Sequence, residues 1–165
     1  MLTVLRHALA MLLLPFMALV VVPAWLLTSF PPLAAEGSEI SLSVGLMRAV
    51  GISVLLPGLA LFSWCVQLFV RVGHGTLAPW DPTHNLVSLG PYRYVRNPMI
   101  SGVALMLMGE ALLWRSWAIG VWNGVFLVVN HLYFLLSEEP GLEQRFGEPY
   151  RCYKDTVPRW LPRIP

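Results

Sequence analysis

Long apolar stretches separated by polar ones dominate this chain. A helix that crosses a membrane needs about 20 mostly apolar residues. Four stretches are candidates, at about residues 8–30, 44–70, 98–114 and 117–136. Only Arg115 and Ser116 separate the last two stretches, which predicts a tight antiparallel hairpin. The pattern therefore predicts an all-α membrane protein with four transmembrane helices, forming a single domain over residues 1–165.

The first stretch has two interpretations. Its basic start at Arg6 and its apolar run are also features of a secretory signal peptide. However, the run is longer than the apolar part of a signal peptide, and no well-placed pair of small residues for cleavage lies near Leu33, Ala34 and Ala35. A retained membrane span is therefore the favoured interpretation.

Polar residues gather in two further segments, at 71–97 and 137–162. The first is rich in Gly, Pro, His, Asp and Asn, yet it also carries apolar residues that need a surface to pack on. A segment of this length between helices is usually functional or disordered. Its apolar residues favour an ordered, functional segment over a disordered one. The second predicts a C-terminal tail of two short amphipathic helices, with Gly147 ending the first and Pro149 opening the second.

The composition narrows the class of protein. Hydrophobic residues make up 56% of the chain and charged residues only 12%, whereas a soluble domain has about 25% charged residues. This excludes an ordinary soluble domain and a disordered chain. Two cysteines are too few for a disulfide scaffold. The net charge of +2 is small and favours a bilayer rather than nucleic acid as the partner.

The placement of Lys and Arg predicts an orientation. If the N-terminus is cytosolic, nine of the 11 basic residues lie on the cytosolic side, and only Arg48 and Arg115 lie outside. Cytosolic segments of membrane proteins carry such an excess. The chain is therefore predicted to be a multi-pass membrane protein with both termini in the cytosol. The predicted location is the bacterial cytoplasmic membrane, or the endoplasmic reticulum in a eukaryote.

Several polar residues lie within or directly after the apolar stretches. Asn130 and His131 have two interpretations, a hydrogen bond between helices or a functional role. Glu138 and Glu139 follow the last stretch. Two adjacent carboxylates repel each other unless a cation is bound or nearby, which favours a functional role for Glu138. Glu110 is expected to pack or to pair with a neighbouring arginine.

Three pieces of the sequence, in order, are similar to a known family. They are GHGTLAPWDPTHNLVSLGPYRYVRNP, a two-helix hairpin, and SEEPGLEQRFGEPYRCYKDTVPRWLP. Together they resemble the membrane-embedded methyltransferases that include isoprenylcysteine carboxyl methyltransferase and the phospholipid N-methyltransferases. The resemblance covers about residues 73–162, which is a little over half of the chain.

The resemblance implies a cofactor, S-adenosyl-L-methionine, held at the cytosolic ends of the last helices, and no metal. The implied cofactor-binding residues are His84, Asn85, Leu86, Val87, Tyr92, Asn97, Pro98, Met99, Ile100, Glu138 and Glu139. Arg96 is a candidate catalytic residue that would hold the carboxylate of the methyl donor. His84 is a second candidate, as a base for an amine acceptor, or else it is a loop histidine bonded to the backbone.

Three positions depart from the isoprenylcysteine branch of that family. Asn97 stands in place of a histidine, as it does in the phospholipid enzymes. Ile100 stands where the family usually has a tyrosine, so a hydroxyl is missing there. Phe134 stands where that branch has the arginine that binds the substrate carboxylate. The last departure argues against prenylcysteine as the substrate.

The sequence therefore predicts a methyltransferase that uses S-adenosylmethionine and acts on a lipid or small amphiphilic acceptor through a carboxylate, an amine or a thiol. One alternative is an NADPH-dependent membrane reductase of the sterol-reductase type, although no basic cluster for a 2′-phosphate is visible beyond Arg93 and Arg96. Another is a non-catalytic membrane protein that retains the fold. Competition between NADPH and S-adenosylmethionine would separate the first two hypotheses.

Overall fold

The computed structural model describes residues 13–32, 42–73 and 85–162. Every regular element in these ranges is helical, so the predicted all-α class is confirmed for them. The helices are α1 (Leu13–Ser29), α2 (Leu42–Val72), α3 (Pro98–Leu113), α4 (Trp117–Phe146) and α5 (Glu148–Thr156). A short 3-10 turn, Gly90–Arg93, precedes α3.

Two of these helices are long and apolar enough to cross a membrane. They are α2, with 31 residues, and α4, with 30 residues, while α1 and α3 are shorter apolar helices. One face of α4 exposes an apolar stripe of Val121, Val125, Val128, Leu132 and Leu136. Residues spaced by three or four share a helix face. This unburied stripe suits contact with lipid, and crossing by all four helices remains a prediction.

Helix α4 runs ten residues beyond the predicted end of its apolar stretch at 136. A proline inside a helix lacks an N–H and clashes with the preceding turn. Here Pro140 follows a wider π-helical turn, Phe134–Glu138, which keeps the helix continuous. The predicted first tail helix is therefore the polar end of α4. Gly147, with a φ of 58°, separates it from α5, which has Pro149 in its first turn.

Glycines let α2 and α3 pack with their backbones in contact. A Cβ atom on Gly51 would lie 2.9 Å from the carbonyl oxygen of Gly109, and one on Gly58 would lie 2.8 Å from that of Gly102. The two glycines on α2 are seven residues apart, as are the two on α3. The earlier glycine of α2 contacts the later glycine of α3, so the two helices pack antiparallel. Small residues at such interfaces are a common means of close helix packing in membranes.

We expect Gly58→Val to destabilise the protein by about 2 kcal/mol, because forcing extra atoms into a packed contact displaces backbone. The free energy of unfolding is measured by titration with sodium dodecyl sulfate in mixed micelles. Gly124→Val is the matched control, since a Cβ atom at Gly124 meets nothing within 4 Å. Equal losses in the two variants would contradict the glycine contact.

The hairpin between α3 and α4 closes one end of the bundle. Arg115 has a φ of 51°, an uncommon left-handed conformation for a residue with a side chain. The hydroxyl of Ser116 accepts a hydrogen bond from the amide of Ile119, 3.4 Å away, and so caps α4. Helix α1 joins the bundle through Trp122, whose ring nitrogen donates to the carbonyl oxygen of Ala18 at 3.0 Å.

Candidate functional site

The candidate site lies at the other end of the bundle, where the start of α3 meets the polar end of α4 and the tail. The hydroxyl of Tyr153 donates to the carbonyl oxygen of Tyr92 at 2.7 Å. The amide of Arg96 donates to the carbonyl oxygen of Pro158 at 2.9 Å. These bonds hold the described parts of the two polar segments together, so the prediction that the two segments meet is confirmed for these parts.

Glu139 is the centre of an ion-pair network. Its carboxylate accepts from Arg96 at 2.9 Å and from Arg159 at 2.7 and 2.8 Å, and Lys154 lies 3.6 Å away. The residue is only 7% exposed. A buried carboxylate needs such partners because an unpaired buried charge is strongly destabilising. Glu139 therefore ties α4 to the start of α3 and to the tail.

Glu138, the neighbouring acid, has a different environment. It is half-buried and forms neither a hydrogen bond nor an ion pair with residues in the described ranges. It lies beyond the apolar stretch of α4, and burial, together with the charge of Glu139, raises its pKa to about 7. Burial raises the pKa of Tyr92, and the negative charge of Glu138 adds a smaller contribution in the same direction. The acid pair is thus divided into one neutralised and one available carboxylate.

Two buried donors at the same end of the bundle lack acceptors among the described residues. The Nε atom of Arg96 and the Nδ2 atom of Asn97 have no hydrogen-bond partner among the described residues. A buried donor left without an acceptor costs about 1–3 kcal/mol, so a native structure usually supplies one. These donors and the free carboxylate of Glu138 together suit a ligand with acceptor oxygens or ring nitrogens and an ammonium group. S-adenosylmethionine carries all of these groups, so the residues present fit it.

The other implied cofactor residues fall into two sets. Val87, Tyr92 and Met99 are buried in an apolar cluster around Cys65, and Pro98 is fully buried in the first turn of α3. Leu86, Ile100 and Asn85 are more exposed, and the side-chain amide of Asn85 donates to the carbonyl oxygen of Val72 at 3.2 Å. The first set is therefore part of the packed interior beside the start of α3, whereas the second is accessible to solvent or ligand. His84 lies outside the described residues.

Sequence reasoning did not single out the individual tail residues that make contacts at this site. The ring nitrogen of Trp160 donates to Nδ1 of His131 at 3.1 Å, so His131 bonds to the tail rather than to another span. The side-chain amide of Asn130 donates to the carbonyl oxygen of Phe126 in its own helix. Both residues therefore have structural partners. Arg159 gave no signal in the sequence beyond its charge, because its partner lies 20 residues away.

Phe134 and Glu110 also have structural surroundings. Phe134 is 7% exposed and packs edge-on against Trp160, with ring centroids 6.3 Å apart. This packing occupies the position where the resemblance would place a substrate-binding arginine. Glu110 is half-buried in α3 and makes no ion pair with Arg115 within the described ranges.

Comparisons with known proteins identify the family of the chain. The model of the phospholipid methyltransferase family matches residues 46–149. The protein-S-isoprenylcysteine O-methyltransferase of Schizosaccharomyces pombe is 30% identical over 103 residues, which cover 61% of this chain and 42% of that protein. An uncharacterized protein of Haemophilus influenzae is 39% identical over 61 residues, which cover 34% of this chain and 97% of that protein.

The chain thus spans less than half the length of the first of these relatives. No solved structure matches significantly. The family match covers more than half of the chain and contains α3, the Arg96–Asn97 motif and the acid pair. The protein therefore belongs to the phospholipid methyltransferase family.

Proposed function

We propose that this protein is a membrane methyltransferase that uses S-adenosylmethionine and methylates a lipid or small amphiphilic acceptor. The observation that carries the proposal is that the Arg96–Glu139 ion pair brings the start of α3 and the acid pair to the same end of the bundle, where two buried donors, on Arg96 and Asn97, have no partner among the described residues. The family match and the relative in S. pombe support a methyltransferase, and neither they nor the site points to a reductase.

The cofactor, when bound, supplies a methyl group on a positively charged sulfur. In this proposal the carboxylate of Glu138 accepts hydrogen bonds from the ammonium group of the donor. Arg96 and Asn97 donate to acceptor atoms of the cofactor, using the donors that have no partner among the described residues. Arg96 is held in place for this by Glu139. The protein's contribution is then chiefly orientation, which suits a one-step displacement.

The acceptor is proposed to be amphiphilic because the site lies at the end of an apolar bundle. Its reacting group is a carboxylate, an amine or a thiol. An amine would have to lose a proton before the transfer, and His84 is the proposed base for that case. Phe134 and Trp160 form an apolar wall where a substrate carboxylate would need a cation. This supports acceptors other than prenylcysteine.

The proposal is tested by titration calorimetry of the purified chain with S-adenosylhomocysteine, the product form of the cofactor. We expect Asn97→Ala to weaken binding about tenfold, which corresponds to the loss of one hydrogen bond of about 1.4 kcal/mol. Asn130→Ala is the matched control, since that amide bonds only within its own helix. Absence of binding by the folded wild-type chain would overturn the proposal, and unchanged affinity in Asn97→Ala would overturn this site assignment.

A further inference from the structure

A cavity lies at the opposite end of the bundle from Arg96. It has a volume of about 290 Å³ and is formed where the α3–α4 hairpin meets the start of α2. Its walls are apolar and come from Met47, Ala111, Leu112 and Trp117, with Gly120 opening the space on α4. Arg115 and Ser116 are the polar members of the lining. No step of the proposed methyl transfer uses this cavity.

Arg115 gives the cavity its chemical character. It is half-buried and has no ion-pair partner among the described residues, so within the described lining it is the cationic group offered to an external anion. Its backbone adopts a left-handed conformation in the tight hairpin, and this sets the direction of its Cα–Cβ bond. A guanidinium binds phosphate through two parallel hydrogen bonds, a geometry that an ammonium lacks. Ser116, the next residue, also lines the cavity.

The surroundings select a lipid rather than a free ion. Trp114 and Trp117 flank the hairpin and are 56% and 57% exposed. Exposed tryptophans in membrane proteins concentrate at the level of the head groups. A cation at that level meets lipid phosphates, and the apolar cavity wall beside it suits the start of an acyl chain. A soluble anion would gain nothing from that wall.

We propose that this cavity binds an anionic phospholipid, with its phosphate on Arg115 and its first acyl carbons against Met47 and Leu112. The volume is at the lower end of the range for ligand sites, about 300 Å³. It therefore holds the phosphate and the glycerol region, while the rest of each chain lies along exposed apolar faces of the bundle. The site is separate from the methyl-transfer site and does not depend on it.

The test is native mass spectrometry of the full chain released from detergent that contains equal amounts of phosphatidylglycerol and phosphatidylcholine. We expect the wild-type chain to retain phosphatidylglycerol preferentially and Arg115→Gln to reduce the retained amount about tenfold, as for one lost charge-assisted contact. Gly120→Leu should block retention while keeping Arg115, because the added side chain has open space to enter. Arg93→Gln, an exposed arginine at the other end, is the control and should leave retention unchanged.

A thermal measurement separates lipid from free phosphate. Saturating phosphatidylglycerol should raise the unfolding midpoint of the wild type by about 5 °C, and millimolar inorganic phosphate should not. Equal stabilisation by both would overturn the assignment to lipid. Equal retention by wild type and Arg115→Gln, or equal loss in Arg93→Gln, would overturn the site itself. Affinity for S-adenosylhomocysteine should be the same in all these variants, so the two proposals fail independently.

Discussion

Replacing Glu139 with glutamine is expected to cause the largest loss of stability of any single isosteric change at the candidate site. The carboxylate pairs with Arg96 and Arg159 at hydrogen-bond distance in a buried position and has Lys154 nearby. Removing one partner of a buried ion pair costs about 3–5 kcal/mol, because the remaining charges stay buried without compensation. We therefore expect Glu139→Gln to lower the free energy of unfolding by about 3 kcal/mol or more.

The measurement is the free energy of unfolding in mixed micelles near pH 7.5. Glu143→Gln is the matched control, because Glu143 pairs with the exposed Arg151 at 3.5 Å and with Lys154 at 3.8 Å. Exposed pairs of this kind contribute only about 0–1 kcal/mol. Similar losses in the two variants would show that Glu139 does not organise the site.

Replacing Glu138, the adjacent acid, is expected to have opposite effects on stability and on binding. Burial of an unpaired carboxylate raises its pKa from the ordinary 4.5 to about 7, so ionisation destabilises the folded state. Glu138→Gln removes that penalty and should stabilise the chain at pH 8 by about 1–3 kcal/mol. The same change removes the proposed partner of the donor's ammonium group. It should therefore weaken binding of S-adenosylhomocysteine about tenfold or more.

The pH dependence follows from the direction of this shift. Because the folded protein holds the proton more tightly than the unfolded chain does, the penalty is absent below about pH 4.5 and grows until about pH 7. The stability difference between wild type and Glu138→Gln should therefore appear on raising the pH through this range and stay constant above it. Wild-type binding of S-adenosylhomocysteine should strengthen from pH 6 to pH 8, and that dependence should disappear in the variant. A variant that is less stable at pH 8 and binds normally would contradict this role.

The positions of the helices could be predicted closely where apolar residues alone define them. The stretches at 44–70 and 98–114 correspond to helices Leu42–Val72 and Pro98–Leu113. The span that was predicted to end at 136 is followed by ten further residues of the same helix, to 146, where a separate tail helix was predicted. Hydropathy stops at the polar residues, whereas backbone hydrogen bonds continue through them, and the wider turn before Pro140 keeps the helix intact. Polarity therefore marks where a helix leaves the apolar layer and does not mark where the helix ends.

The candidate site was only partly predictable. Arg96, Asn97 and the acid pair were identified by residue type and by the family resemblance, and the structure brings them to the same end of the bundle. The tail residues Tyr153 and Arg159 were not identified, because their partners are residues remote in the sequence. The glycine register between α2 and α3 was missed for the same reason. A pattern of small residues indicates close packing only when the facing helix is known.

The sequence by itself determined that the protein is apolar and helical. It also placed most candidate functional residues in two polar segments, with two glutamates directly after the last apolar stretch. Only the tertiary structure decided which of those glutamates is neutralised and which remains available. Neighbouring residues on a helix point about 100° apart, so Glu138 and Glu139 meet different surroundings. Those surroundings are supplied by Arg96 and Arg159, which lie 43 and 20 residues from Glu139 in the chain. Their positions depend on how the helices pack, which the local sequence around the acids does not contain.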